Sequence, residues 1–213
     1  HPDWFDFKGS ITTISTLCSH RLDVLFFTEP SYYDVVAEAD VKQRIFYFVK
    51  SGEKIKHIVA DPRFRLYANS SNLHEECVKR FGVSPIKALG GIDTNLYHPC
   101  SFAPRSKEDP FTVIVFGRLK KKRKGTKTVV KACERVAKRH SVRLILFDTP
   151  TDESSRKAIE DFTCDVNYEF IVDHPYNENA SMFHRAHVFV SAEDRTGYSN
   201  TSAEAMACGI PVI

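Results

Sequence analysis

Two stretches of the 213-residue sequence carry side chains whose types and spacing suit chemistry: "GRLKKKRKGTK" (117–127) and "TGYSNTSAEAMACGIPVI" (196–213). In the first, Gly117 and Gly125 permit close backbone approach. Arg118, with Arg123 or Lys124, can hold a doubly charged phosphate group from two sides. In the second, Ser199, Asn200 and Thr201 suit an N-cap and a first turn, so a helix should start near them, run to Cys208 and end at Gly209. The free N–H groups of that helix add partial positive charge where a diphosphate would sit. Glu204 lies about one turn in. A carboxylate repels phosphate, but it can accept two hydrogen bonds from the vicinal hydroxyls of a sugar. A lysine run is more often a solvated face or a nucleic-acid patch, and a helix glutamate more often faces water. Two features tilt the balance: Arg118 comes directly off an apolar run, and Glu204 is flanked by Ala203, Ala205 and Ala207.

These groups need elements to position them. Phe111–Phe116 (FTVIVF), Val142–Phe147 (VRLILF), Tyr168–Val172 (YEFIV) and His187–Val190 (HVFV) are near-continuous apolar runs of the kind buried on both faces of a parallel sheet. Between the first two, Val129, Val130, Cys133, Val136 and Ala137 form one helical stripe, and Lys127, Lys131, Arg135 and Lys138 form the opposite face. Ala180, Phe183 and Ala186 repeat the pattern more weakly. Alternating strands and helices predict a doubly wound α/β domain, whose ligands bind beyond the carboxyl ends of the strands. The loops to inspect therefore follow Phe116, Phe147, Val172 and Val190. Upstream, Asp23–Thr28, Arg44–Val49, Arg65–Ser70 and Ile86–Leu89 read as strands. Ser71–Phe81 reads as an amphipathic helix capped by Ser70 or Ser71. The proline-rich "HPCSFAPRSKEDP" (98–110) marks a boundary between regions 1–97 and 98–213.

Composition excludes several classes. A hydrophobic share of 42% and a charged share of 27% are those of a globular protein, and no apolar run reaches the roughly 18 residues of a membrane span. Six cysteines occur without a C-x-x-C pair, so thiols are expected rather than a zinc site or a disulfide framework. Net charge is only +3, yet Arg118–Arg143 holds twelve Lys or Arg residues against one acid, Glu134. No aromatic interleaves with that charge between Lys120 and Arg143, as single-stranded nucleic-acid binding would want. His74, His98, His184 and His187 lack partners at metal-ligand spacing, and no Asp-x-Asp occurs. Trp4, Phe5 and Phe7 read as a packing cluster.

"GGIDTNLYHP" (90–99), "FGRLKKKRKGTKTVVKA" (116–132) and "GYSNTSAEAMACGIPVI" (197–213) resemble, in order, three motifs of the family 4 glycosyltransferases of the GT-B fold: G-[IV]-D-x-x-x-[FY]-x-P, G-R-L-x-x-x-K-G, and E-x7-E running into A-M-A-x-G-x-P-V. The resemblance implies two Rossmann-like doubly wound domains, both incomplete: the second half of an acceptor-side domain over 1–97 and the first part of a donor-binding domain over 98–213. It implies retaining transfer of a sugar from a nucleotide-diphosphate donor to a glycan, lipid or small-molecule acceptor. No metal or further cofactor and no nucleic-acid partner are expected. The expected location is cytoplasmic, with contact at the cytoplasmic face of a membrane as a variant, and a fragment lacking both ends would not turn over alone. Arg118 matches the diphosphate arginine; Lys124 matches the family lysine by its glycine, Arg123 by its count from Arg118. Glu204 matches the ribose-binding glutamate, while Thr196 stands where the first glutamate is expected. Either Glu193 or Asp194 supplies a displaced carboxylate, or Thr196 and neighbouring backbone remake the donor contact. Catalytic roles thus fall to Arg118, Lys124, Thr196 and Glu204, and donor contacts to Gly117, Arg118, Arg123, Lys124, Gly197, Tyr198, Ser199, Asn200, Thr201 and Glu204. A GT-B sugar-nucleotide 2-epimerase and a basic nucleic-acid-binding module are the alternatives.

Overall fold

Runs such as FTVIVF have no polar face to offer water, so they require cover on both sides, and the chain supplies it with parallel sheets and crossover helices. The structure, a computed structural model, describes residues 8–50, 52–100, 106, 109–194 and 197–213. Backbone contacts divide these between two units that meet at Gly91–Ile92. The expected aromatic cluster of Trp4, Phe5 and Phe7 lies outside the described residues.

The first unit contains β1 (Leu22–Phe27), α1 (Tyr33–Glu38), β2 (Val41–Phe48), α2 (Lys56–Ala60), β3 (Phe64–Ala68), α3 (Ser71–Phe81) and β4 (Ile86–Lys87). Its strands are parallel and lie in sequence order, β1-β2-β3-β4. Successive right-handed crossovers in one direction put their helices on one face. Val36 and Ala37 of α1, Ile58 and Val59 of α2 and Cys77 of α3 accordingly share a core with Phe27, Phe46 and Phe48. Ser70, rather than Ser71, caps α3, its Oγ accepting from the Leu73 N–H at 3.2 Å, and Gly82 closes the helix at φ 69°. The sequence period predicts neither α1 nor α2, because helices of six and five residues complete too few turns to display a stripe.

The second unit contains β5 (Phe111–Phe116), α4 (Thr126–Ala137), β6 (Val142–Asp148), α5 (Glu153–Glu160), β7 (Asn167–Val172), α6 (Asn179–His184), β8 (Val188–Phe189) and α7 (Asn200–Ala207). The strand order is β7-β6-β5-β8, all parallel, and a parallel bridge from Phe189 to Val212 continues the sheet past β8. The order reverses at β5, so the two faces receive different helices. Val113 and Val115 pack with Val129, Val130 and Cys133 of α4. Ile114 and Phe147 pack on the other face with Met182 and Phe183 of α6 and Ala205 and Cys208 of α7. Tyr97 belongs to this second core and Ile92 and Leu96 pack against it, so the connector from Ile92 onward sits with the second unit, earlier than the proline-rich boundary. No stripe announces α5, which buries no residue.

Two glycines are fixed by space. A Cβ at Gly117 would stand 2.6 Å from the Phe170 ring, and one at Gly125 would stand 2.0 Å from the Ala192 carbonyl oxygen. Gly125 also has φ 68°, the left-handed region that costs other residues about 1–2 kcal/mol. Gly209 has a similar φ of 77° but only ordinary contacts, the nearest being Pro99 Cβ at 3.4 Å. Gly125→Ala should therefore lower stability in urea denaturation by clearly more than Gly209→Ala; equal losses would show that the contact with Ala192 is unimportant.

Candidate active site

Beyond the carboxyl ends of β5, β6 and β7 lies a cleft of about 230 Å³, lined by Phe116, Arg118, Phe147, Asp148, Thr149, Ile171, His174, Asn179, Met182, Asn200, Thr201 and Glu204. Arg118 leaves β5 two residues after the strand ends. Its Nε donates to Asp148 Oδ1 at 2.7 Å, and Nη2 reaches the Thr149 carbonyl at 3.5 Å. Asp148, the last residue of β6, is 3% exposed at the side chain and also accepts from the Thr149 N–H at 2.8 Å. A buried carboxylate on one edge fixes the guanidinium and leaves its other N–H groups for a ligand.

Lys124 arrives from the far end of the same loop. Arg118 and Lys124 both lie over the Phe116 ring, at 5.2 and 5.5 Å from its centroid. The Lys124 ammonium is paired with Glu193, whose side chain is 7% exposed. That pairing follows from the Gly125 contact, which presses the loop after β5 onto Ala192 in the loop after β8. Thr126 Oγ1 fastens the loop from below by donating to the Phe116 carbonyl at 2.8 Å. Arg123 is exposed, and its carbonyl accepts from the Asp194 N–H at 2.9 Å. Thus Lys124, and not Arg123, shares the Phe116 ring with Arg118.

The opposite wall is α7. Ser199 occupies its N-cap position, but its hydroxyl meets Ser202 Oγ at 2.8 Å instead of capping a backbone N–H. Asn200 and Thr201, in the first turn, line the cleft, and Gly209 follows the helix end. Glu204 is buried at 8% exposure, and removal from water pushes its carboxyl pKa up.

The structure thus brings Arg118, Asn200, Thr201 and Glu204 to one cleft with Lys124 beside it. Gly117 lies buried beneath Phe170, while Arg123, Gly197, Tyr198 and Ser199 are not among the lining residues. Thr196 lies outside the described residues. Of the two candidates for its replacement, Glu193 is turned to Lys124. Asp148, Asn179, His174 and Tyr97 escaped sequence reasoning. Asp148 ends an apolar run and Tyr97 sits in a quoted motif, but no local pattern tells which distant side chain either one meets. Among the described residues, no group of three or more His, Cys, Asp or Glu side chains could hold a metal ion, and no helix is long and apolar enough to cross a membrane. All six cysteines are free thiols.

The sequence profile described as "Glycosyl transferases group 1" matches residues 100–213. The chain belongs to that family. The group 1 glycosyl transferase chain is also similar to solved structures. With sucrose-phosphate synthase from Thermosynechococcus elongatus the TM-score is 0.70 at 18% identity, covering 91% of this chain and 55% of that one. With S. aureus TarM, in a complex with fondaparinux, alpha-GlcNAc-glycerol and UDP, it is 0.66 at 15% identity, covering 89% and 40%. With a glycosyltransferase from Rickettsia africae it is 0.67 at 10% identity, covering 89% and 56%. The chain therefore spans about half the length of these proteins. The likeness gives the fold, which is α/β with Rossmann-like parallel sheets as in GT-B glycosyltransferases. No curated protein matches at a significant level.

The buried Glu204 carboxyl has a consequence for stability. Its folded pKa lies above the ordinary 4.5, so folding favours the protonated form. The stability from that preference is present at acid pH and lost as pH rises through the raised value. Glu204→Gln stays neutral throughout. It should melt above the parent protein at about pH 7, with the gap closing towards about pH 4. A lower melting temperature at neutral pH would contradict the burial of an unfavourable charge.

Proposed function

We propose that the second unit is the donor site of a nucleotide-sugar-dependent glycosyltransferase acting with retention of anomeric configuration. The observation that carries this reading is that Arg118, from the loop after β5, and Glu204, from the helix after β8, line one cleft together with Asn200 and Thr201 at the start of α7. An anion and a diol can be held side by side there. Arg118 and Lys124 meet the diphosphate, with the first-turn amides of α7 adding partial positive charge. Glu204 accepts from the two ribose hydroxyls. Lys124 is preferred to Arg123 because it shares the Phe116 ring with Arg118.

Cleaving the bond between the anomeric carbon and the nucleoside diphosphate leaves negative charge on the leaving group and positive charge on the ring. Fixed cations and amides answer the first charge without reorganising at the moment of reaction. The reading calls for no further cofactor. In the absence of a side chain assigned as a covalent nucleophile, the leaving group departs and the acceptor attacks on the same face. Acceptors of the glycan, lipid or small-molecule classes suit the reading equally. The family's first glutamate is replaced at Thr196. With Glu193 committed to Lys124, the reading assigns the sugar contact to Thr196 and neighbouring backbone, and leaves Glu193 to orient the ammonium.

A screen of nucleoside diphosphates and their sugars by thermal shift, followed by calorimetric titration, tests the reading. Hydrogen bonds to charged groups contribute about 1.5–3 kcal/mol, so Arg118→Ala should weaken nucleoside diphosphate binding roughly tenfold to a hundredfold. In a chain competent for turnover the rate should fall about a hundredfold or more. A loss under about threefold in both, or salt-sensitive RNA binding without affinity for any nucleoside diphosphate, would overturn it.

A further inference from the structure

The lysine run after Arg118 is left over once the donor cleft is accounted for. Arg118 and Lys124, at its two ends, are each paired with a buried carboxylate. Lys120, Lys121 and Lys122 between them, and Lys127 in the first turn of α4, are exposed and enter no ion pair among the described residues. These four lysines and Arg118 surround a second cavity. Its volume is about 540 Å³, against about 230 Å³ for the cleft, and falls within the roughly 300–1,000 Å³ usual for small-molecule sites. Among the described residues, no acid and no aromatic ring lines it. One wall is the start of α4, where Gly125 offers no capping side chain and the first turn holds no acid.

Charge of one sign gathered round one space repels itself, and an anion in the middle relieves that repulsion. The residue types say which anion. A carboxylate is met best by the planar fork of an arginine, whereas lysine ammoniums are compact point charges with rotatable donors. The one arginine on this wall has its Nε committed to Asp148. Four lysines match the three outer oxygens of a phosphate ester, which accept from several directions at once. With no aromatic face to stack on, unpaired bases gain little here. We propose that this cavity is a phosphate-ester subsite and that the ester it holds belongs to the sugar acceptor. The acceptor role rests on the donor-site reading above. Because Arg118 lines both spaces, an acceptor anchored by its phosphate in one is brought beside the diphosphate in the other. The ester can come from a soluble sugar phosphate or from a lipid headgroup, which present the same oxygens.

The test measures binding of glucose 6-phosphate, glucose and UDP by calorimetry, and of phosphatidylcholine vesicles with and without phosphatidic acid by co-sedimentation. The variants are Lys121→Gln with Lys122→Gln, and, as a control of equal charge, Lys131→Gln with Lys138→Gln on the outer side of α4. The parent should bind a phosphate probe and not glucose. The loop pair should weaken that binding about tenfold or more and UDP by less than about twofold, and the α4 pair should leave both near parental values. Saturating UDP should leave glucose 6-phosphate binding in place. The arm that responds to the loop pair, sugar phosphate or phosphatidic acid, names the source. The proposal is overturned if neither phosphate probe binds the folded parent, if the α4 pair costs as much as the loop pair, since a general field would then explain the effect, or if UDP displaces glucose 6-phosphate, since the cavity would then be part of the donor site. If Arg118→Ala weakens UDP binding while the loop pair changes nothing, the donor-site reading stands and only this inference falls. If UDP does not bind the parent, the donor-site reading fails and the acceptor role fails with it.

Discussion

Two loops can face one ligand only where neighbouring strands of a parallel sheet send their connections to opposite faces, and here that occurs between β5 and β8. Everything in the candidate site hangs on this reversal. The chain from β5 runs to α4 on one face, and the chain from β8 runs to α7 on the other. Gly125 then brings the two departing loops into backbone contact at Ala192. Without the reversal, the cation-bearing loop and the carboxylate-bearing helix would lie on the same side and follow one another instead of meeting.

The polar groups assembled there are matched before any ligand arrives. Arg118 rests on Asp148 and Lys124 on Glu193, and the buried Tyr97 hydroxyl accepts from Asn179. Pairing of this kind limits the penalty of holding charge out of water and restricts the rotamers of long side chains. It also assigns the acids distinct tasks. Asp148 and Glu193 orient cations, whereas Glu204 sits in the wall of the cleft.

The sequence disclosed the parts whose physics is local. Phe111–Phe116 was readable to the residue because a continuous apolar run has one stable environment, and α3 because eleven residues give a stripe time to repeat. Arg118 and Glu204 were readable from position, one just after a buried strand and the other in an alanine-rich turn. What the sequence hid is tertiary. Glu193 and Asp194 both stand near the missing first glutamate in sequence, but nothing local shows that Glu193 meets Lys124. The contact of Gly125 with Ala192, far apart along the chain, is what delivers Lys124 to it. Tyr97 was equally opaque, since Asn179 and Phe183, which it meets, lie on a helix much later in the chain. The short α1 and α2 were invisible for a simpler reason, having too few turns to show a period.

The matched cations carry a further meaning for how an anion would find the pocket. Beyond the Debye length of about 8–10 Å at ordinary ionic strength, a cation beside its own carboxylate reads as a dipole and not as a charge. Arg118 and Lys124 themselves are therefore electrostatically quiet from afar and become attractive only within touching range. The far field of this unit comes instead from the exposed Lys120, Lys121, Lys122 and Arg123 of the loop after β5 and from Lys127, Lys131, Arg135 and Lys138 along and just past α4. Which molecules loiter near the surface and which one is admitted are then decided by two different sets of residues.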